Sequence, residues 1–433
     1  MRVIIDNIGK VRRANVALDS ITTIAGSNGT GKSTVGRALV TFLNVMRQMD
    51  ELLIDKKLSY FFEKLQGLLK LPDSWHYIAT SALPRVVGKG ASLQPGSWDT
   101  PDKVRKFLSE VAKLAGAQKR LSDHAATVEI DCEQILDKLS EVNSLDEHKE
   151  SIEILNEVFM SAFTKQMSPV FDHAALGRIT LKADGDELGN SIDIRNDHVV
   201  DFGWSGNLAI PPAFYIEPIH VLDVVPLARQ FFVAPVFLDK YRAGTFGAQY
   251  AISNTDYDVA YSDEDEKRAV SDLISELSDI ISGSIEKDDE GVELKFAEKH
   301  GDNNIGFVHL ENLASGMKTM SLLVHALRNG TIRRGRVVVI DEPESNLHPE
   351  WQVKFARMLV ALNKKLFVKV LLNTHSPYFL KAIEYYSRKE DIGGVRFYQT
   401  IQEPGGLLYL TDDCTLNTNK IFQSMYKPFK DIM

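Results

Sequence analysis

Along the N-terminal stretch the spacing of apolar positions changes character several times. Val3–Ile5 and Asn15–Leu18 read as strands in a stretch that mixes apolar and charged residues. Ile21–Ala25 reads as a short buried strand, and from Lys32 to Arg47 apolar residues recur every third or fourth position, as on a helix. Residues 48–170 then carry helical segments such as ELLIDKKLSYFFEKLQGLLKL, PDKVRKFLSEVAKLAGAQKRL and EHKESIEILNEVFMSAFTK, broken by turn residues such as Pro95-Gly96-Ser97. They are too short and interrupted for a long coiled coil.

From Arg178 to Phe202 the period returns to that of strands and turns, and Ala213–Ile216 predicts one more strand. DEDEKRAVSDLISELSDIISG predicts a helix with an acidic start, which favours the positive end of the helix dipole. SIEKDDEGVELKFAEK predicts a hairpin. Strands and helices alternate again towards the C-terminus. Strands are expected at Gly306–Leu310, Val337–Ile340, Leu366–Leu372 and Val395–Thr400, and helices at Ser315–Arg328, Pro349–Asn363 and Pro377–Arg388. A closing set of strands and a helix follows. Because β/α alternation brackets a helical excursion, the two ends are expected to form one α/β domain. The expected division is 1–47, a helical insertion at 48–170, a mixed β/α part at 171–300, and 301–433.

Composition narrows the class without naming a function. The chain has 433 residues, 44% hydrophobic and 25% charged, the mix of a globular protein able to bury a large core. Its two cysteines, Cys132 and Cys414, are far apart and lack ligand spacing, which suggests a reduced, cytoplasmic setting. The N-terminus lacks the apolar core of a signal peptide, and no run approaches about 18 uncharged apolar residues, so no membrane role is expected. A net charge of −9 argues against a generic DNA-coating protein but leaves room for a local basic groove.

Gly26-Ser27-Asn28-Gly29-Thr30-Gly31-Lys32-Ser33 satisfies GxxxxGK[ST] between a strand and a helix, the context a phosphate-binding loop needs. Its glycines let backbone amides of Asn28, Gly29, Thr30 and Gly31 close on phosphate, helped by the helix N-terminus. Lys32 is expected at the β- and γ-phosphates, Ser33 at Mg²⁺ and Thr34 at the α-phosphate of ATP. Val337–Ile340 is an apolar strand ending in Asp341-Glu342. Asp341 is placed to position Mg²⁺ and Glu342 to polarise the attacking water as general base.

Ser315 and Gly316, in Leu313-Ala314-Ser315-Gly316-Met317, would open a helix and form a second anion site; the segment also reads as an ordinary helix cap. His375, in Leu372-Asn373-Thr374-His375-Ser376, closes another strand and can reach the γ-phosphate or the water.

The order P-loop, LASGM, VVVIDEPESNLHP, NTHS resembles the ABC ATPases. More narrowly it is similar to the chromosome-maintenance (SMC), recombination-repair and overcoming-lysogenization-defect (OLD) group, and to the compact ATPases of OLD-like, Septu-type and PARIS-type antiviral systems. DEPESNLHP and the opening IDNIGKVRRANVALDSITTIAGSNGTGKST carry much of the likeness. The resemblance implies a P-loop ATPase head of ABC type, built from the N- and C-terminal parts with a mainly helical insertion. It also implies a signature at Leu313–Met317, a D-loop at Ser345–His348 and a switch histidine at His375. Two heads would sandwich two ATP molecules, in a homodimer or higher homo-oligomer.

The signature departs from LSGGQ, which weakens a transport reading, and no clear Q-loop glutamine is present; Glu217 is the candidate for that position. Arg12 and Arg13 are placed either near the nucleotide or on a solvated strand edge, and Arg333-Arg334-Gly335-Arg336 as a solvated turn. Asp412-Asp413 lacks partners for a two-metal nuclease, so any nuclease or toxin is expected to be a separate protein. The leading functional expectation is a defence ATPase controlling such an effector; the alternative is a DNA repair or recombination clamp, with DNA as a partner.

Overall fold

A computed structural model describes residues 1–71, 93–114, 127–183, 185, 189–205, 210–216, 263–287, 294–300, 304–309 and 312–430. Among them the chain forms an 11-stranded mixed sheet and a 3-stranded sheet with helices. In chain order the large sheet is built from β1 (Arg2–Ile8), β2 (Val11–Ala17), β3 (Ile21–Ala25), β4 (Gly177–Lys182), β5 (Asn190–Arg195), β6 (His198–Gly203) and β7 (Ala213–Ile216). β11 (Val337–Asp341), β12 (Lys369–Thr374), β13 (Arg396–Gln402) and β14 (Tyr409–Asp413) complete it. Its spatial order is β6-β5-β4-β1-β2-β14-β13-β3-β12-β11-β7.

The neighbours from β13 to β7 pair in parallel. Strands there are covered on both faces, and β3, β7 and β11 are buried at every position. The strands from β6 to β2 pair antiparallel and alternate, as in β4 and β5, where Ile179, Leu181, Ile192 and Ile194 are all 0% exposed while Arg178 and Arg195 face solvent. Strands from both ends of the sequence interleave, since β3 lies between β13 and β12. The N- and C-terminal parts therefore form one α/β head.

Helices α5 (Glu264–Ile281), α6 (Ser315–Arg328), α7 (Pro349–Leu366) and α8 (Pro377–Lys389) belong to one core with the parallel strands, joining Leu273, Leu277, Leu322, Leu323, Phe355, Leu359 and Phe379 to Val338, Ile340 and Leu372. α9 (Asn419–Lys430) closes the chain. The expected hairpin is present as β8 (Gly283–Lys287) and β9 (Leu294–His300); β10 (Asn304–His309) extends it to three strands.

The chain divides into two compact units, residues 1–47 with 156–433, and residues 48–155. Helix α1 (Lys32–Leu68) is one continuous helix where two were expected, because nothing between Arg47 and Gly67 breaks it. The second unit packs the later part of α1 with α2 (Pro101–Leu114) and α3 (Cys132–Asn143) around Trp98, which is 1% exposed and meets Phe61 and Phe107 edge-on at 4.7 and 4.8 Å. The unit boundary falls within α4 (Glu147–Ala162) rather than at 170. Asn156 bonds both backbone groups of Val199 on β6, at 2.7 and 3.0 Å, which ties this part of α4 to the sheet.

A further difference lies at Leu366–Leu372. Leu366 ends α7 and the strand starts at Lys369, because Phe367 takes a left-handed cap conformation (φ 51°) and Asn363 bonds the carbonyl of Val368 at 2.8 Å. Among the described residues no helix is long and apolar enough to cross a membrane.

Candidate functional site

β3 has parallel neighbours on both sides, so its C-terminal end points the chain out of the sheet beside the ends of β11 and β12. Ligand sites of open α/β sheets form at such carboxyl ends. The loop leaves at Gly26, whose amide donates to the carbonyl of Thr374 at 3.3 Å. Gly29 and Gly31 have φ of 72° and 88°, left-handed values that glycine adopts without strain. A side chain on Gly31 would also come within 2.6 Å of Val11 Cγ2.

Ser27, Asn28 and Gly29 form an exposed crest, while Thr30 and Lys32 are each 4% exposed. Lys32 Nζ donates to the carbonyls of Gly26 and Ser27, at 3.0 and 2.8 Å. Burial lowers the pKa of Lys32, and Asp341, Glu342 and Glu344 act against that shift. Thr34 sits beneath the β1–β2 turn, its Oγ1 3.8 Å from the place a Cβ on Gly9 would take. An exposed glycine crest over a buried ammonium and a helix N-terminus is an anion cradle.

Asp341 ends β11 and is 6% exposed. Its Oδ2 accepts from Tyr215 Oη at 3.4 Å, and its Oδ1 has no hydrogen-bond partner. Burial raises its pKa, partly offset by the neighbouring Ser33 and Asn373 side chains and by Lys32. A buried carboxylate oxygen without a partner, next to a serine hydroxyl, fits a hard cation that also takes phosphate oxygens and water. Ser33 and Asp341 are the residues that could hold Mg²⁺.

Glu342 follows in a left-handed conformation, φ 49°, which costs a non-glycine residue about 1–2 kcal/mol. Its amide is held by the Asn373 carbonyl at 2.8 Å, and Ser345 returns hydrogen bonds of 2.9 Å to its carbonyl and 3.3 Å to its Oε2. The turn lifts the carboxylate out of the sheet, 3.7 Å from His375 Nδ1.

Glu344 was not singled out in the sequence, yet its Oε1 accepts from Thr374 Oγ1 and the His375 amide at 2.7 Å and the Ser376 amide at 3.1 Å. His375 Nδ1 lies 3.3 Å from the same oxygen. Burial raises the Glu344 pKa, and these hydrogen bonds act in the opposite direction. The carboxylate thus clamps the segment carrying His375 to the loop carrying Glu342. A second glutamate two residues after the first was the available signal, but turn carboxylates are usually solvated. Asn373 and Tyr215 around Asp341 carried no signal at all, because each reads as part of an apolar strand.

Ser315 is the first residue of α6. Gly316 packs on Leu347: a Cβ there would lie 2.1 Å from Leu347 Cδ2, so the segment 313–317 is seated on the loop that follows Asp341-Glu342. Glu217 lies outside the described residues.

Of the two alternatives for Arg12 and Arg13 on β2, the strand edge does not hold. This strand is interior to the sheet, between β1 and β14, so neither Arg12 nor Arg13 is on an edge. Both are exposed, on opposite faces of the strand: Arg12 bonds Asn7 Oδ1 at 2.6 Å with Glu403 at 3.6 Å, and Arg13 stands 3.7 Å from Asp6. The turn at Arg333–Arg336 is engaged rather than simply solvated: Arg334 lies 3.6 Å from Asp263 and over the Phe367 ring, and Arg336 donates to the Thr331 carbonyl. Asp412 accepts from Lys420 at 3.1 Å.

The protein family described as "AAA domain, putative AbiEii toxin, Type IV TA system" matches residues 199–381, less than half of the chain and the part that holds β11, β12 and α6. Over those residues the chain is similar to that family's AAA domain. No curated protein matches it. Among solved structures it is similar to the SMC head domain from Thermotoga maritima, at 11% identity over 95% of this chain and 97% of that one, TM-score 0.38. An SMC head bound to the C-winged helix domain of ScpA matches at 12% identity over 97% and 98%, TM-score 0.41. An SMC head with an extended coiled coil, bound to the C-terminal domain of ScpA derived from Pyrococcus furiosus, matches at 10% over 100% and 98%, TM-score 0.40. These likenesses are distant, and the fold rests on the strand order given above.

Proposed function

We propose that this ATPase binds ATP with Mg²⁺ on the loop 26–34 and hydrolyses it at a site completed by the signature segment of a second copy. The observation that carries this reading is the meeting of Lys32, Asp341, Glu342 and His375 at the carboxyl ends of three adjacent parallel strands. In it, amides of residues 28–31 and the Lys32 ammonium bind phosphate, which requires Lys32 to leave the Gly26 and Ser27 carbonyls. Thr34 assists at the α-phosphate.

Mg²⁺, held by Ser33 and Asp341, supplies charge neutralisation at the phosphates when bound. Glu342 accepts a proton from the attacking water, and His375, oriented by Glu344, hydrogen-bonds the water or the γ-phosphate. Ser315 and Gly316 at the start of α6 offer amides to the triphosphate of the partner head. The positive φ of Glu342 is the kind of strain that persists where surrounding contacts over-determine a functional geometry.

At the level of biology, we infer a cytoplasmic switch that controls a separate effector, a nuclease or toxin, in bacterial antiviral defence. Support comes from the motif order and from the toxin–antitoxin description of the matched family.

Glu342→Gln tests the chemistry. It should bind ATP, lose about 10²- to 10⁴-fold in kcat and accumulate as a dimer by light scattering; hydrolysis at the wild-type rate removes Glu342 from the base role. DNA affinity measured across salt concentrations, with and without ATP, tests the biology. Tight ATP-dependent DNA binding by the chain alone would replace effector control with a DNA clamp.

A further inference from the structure

The loop 26–33 is braced from a strand that carries none of its motif. Thr400 lies on β13, beside β3, and is 9% exposed. Its Oγ1 occupies the space a side chain on Gly26 would need, 1.9 Å from the ideal Cβ position. The same oxygen is 2.8 Å from Thr30 Oγ1. Thr30 Oγ1 in turn donates to the Ser27 carbonyl at 2.9 Å, which uses its one proton. With Thr30 donating there, Thr400 is the donor in the Thr400–Thr30 contact, the arrangement that uses the shorter of its two acceptor contacts, since the Ala25 carbonyl is at 3.5 Å. The Ser27 carbonyl also accepts from Lys32 Nζ at 2.8 Å. The chain of donors runs from Thr400 to Thr30 to Ser27, where it meets Lys32.

We infer that Thr400 is a positioning residue for nucleotide phosphate. Its hydroxyl fixes the rotamer of Thr30 and thereby holds the Ser27 carbonyl on the Lys32 side of the loop. A peptide carbonyl and the following amide point in opposite directions across one rigid plane. A carbonyl pinned towards the buried lysine therefore turns the Asn28 amide towards the exposed crest, where an anion would sit. Thr400 touches neither the phosphate nor the reacting water; it acts through Thr30 and Ser27.

The C-terminal strands brace the other side of the loop as well. The Tyr409 amide on β14 bonds the Lys10 carbonyl at 2.9 Å, and the adjacent Val11 packs on Gly31. The last strands of the sheet thereby brace a loop whose motif residues lie near the other end of the sequence.

The inference rests on the phosphate-cradle reading of loop 26–34, and the test separates the two. Thr400→Val keeps the side-chain shape and removes the donor; Thr400→Ser keeps the donor. Calorimetry with ATP and steady-state kinetics on the full chain are read together with thermal melting. Thr400→Val should raise both the ATP Kd and KM about three- to tenfold, with kcat and Tm close to wild type, and Thr400→Ser should restore Kd. A wild-type ATP Kd in Thr400→Val overturns the inference. A loss of affinity that tracks a fall in Tm and is not restored by serine also overturns it, since a merely structural role gives that result. Lys32→Ala serves as the control. If it abolishes ATP binding while Thr400→Val leaves binding unchanged, only the inference fails; if Lys32→Ala binds ATP normally, the cradle reading itself fails.

Discussion

The two halves of the large sheet solve different problems with the same backbone. From β13 to β7 the strands are parallel and largely buried, and the candidate site residues lie at or just beyond the carboxyl ends of β3, β11 and β12. From β6 to β2 they are antiparallel and alternate, with apolar residues on one face and charge on the other, such as Arg178 paired with Asp193. The first arrangement concentrates polar groups along one rim of the sheet. The second spreads them over a surface, where water competes for each of them. Chemistry that needs Lys32, Asp341, Glu342 and His375 within reach of one another can be assembled only on the first half.

Substitutions should therefore divide by half. The largest effect is expected from Glu342→Gln, through kcat as described above. Next is Lys32→Ala, which removes the ammonium facing three carboxylates' field and the phosphate cradle; ATP affinity should fall about a hundredfold or more by calorimetry, while the melting temperature hardly moves. Wild-type affinity would show that the parallel rim is not the nucleotide site.

Glu344→Ala should cost about 2–4 kcal/mol of stability in denaturant melts, because it leaves the His375 and Ser376 amides and the Thr374 hydroxyl without their shared acceptor. It should also lower hydrolysis more than ATP binding. Unchanged stability would show that the clamp on His375 contributes nothing.

Asp341→Asn sharpens the comparison in the opposite direction. Burial raises the Asp341 pKa, so the charged form is disfavoured in the folded protein, and stability falls as pH rises through its folded-state pKa, above the ordinary value of about 4. Without nucleotide, Asp341→Asn should be more stable than wild type by about 1 kcal/mol at neutral pH, and the difference should vanish once acid protonates the wild-type carboxylate. Magnesium-dependent ATP binding should weaken in the same variant. A less stable Asp341→Asn at pH 7 would contradict the account of a carboxylate held buried for a cation.

The smallest effect is expected in the antiparallel half, from Arg178→Ala. Its pair with Asp193 is half exposed, so stability should change by about 1 kcal/mol or less and ATP turnover should stay at the wild-type level.

The amino-acid sequence by itself determined which short segments become buried strands, where the glycine-rich loop and its helix lie, and that a helical stretch interrupts an α/β chain. Runs such as Val337–Ile340 and the spacing of Gly26 to Ser33 are local properties, legible because periodicity and turn chemistry act over a few residues. The antiparallel pairing of β4, β5 and β6, the unbroken length of α1 and the pairing of β10, expected as a strand at Gly306–Leu310, with β9 were less legible. Edge pairing and helix continuation depend on what packs alongside, and no local residue announces it.

Only the tertiary structure decided the roles of Glu344, Tyr215, Asn373 and Thr400. A glutamate in a turn or a threonine in a strand looks the same whether it faces water or a neighbouring loop. The difference is made by parallel pairing, which sets β13, β3, β12 and β11 side by side and brings residues hundreds of positions apart to hydrogen-bond distance, as in Thr30 with Thr400.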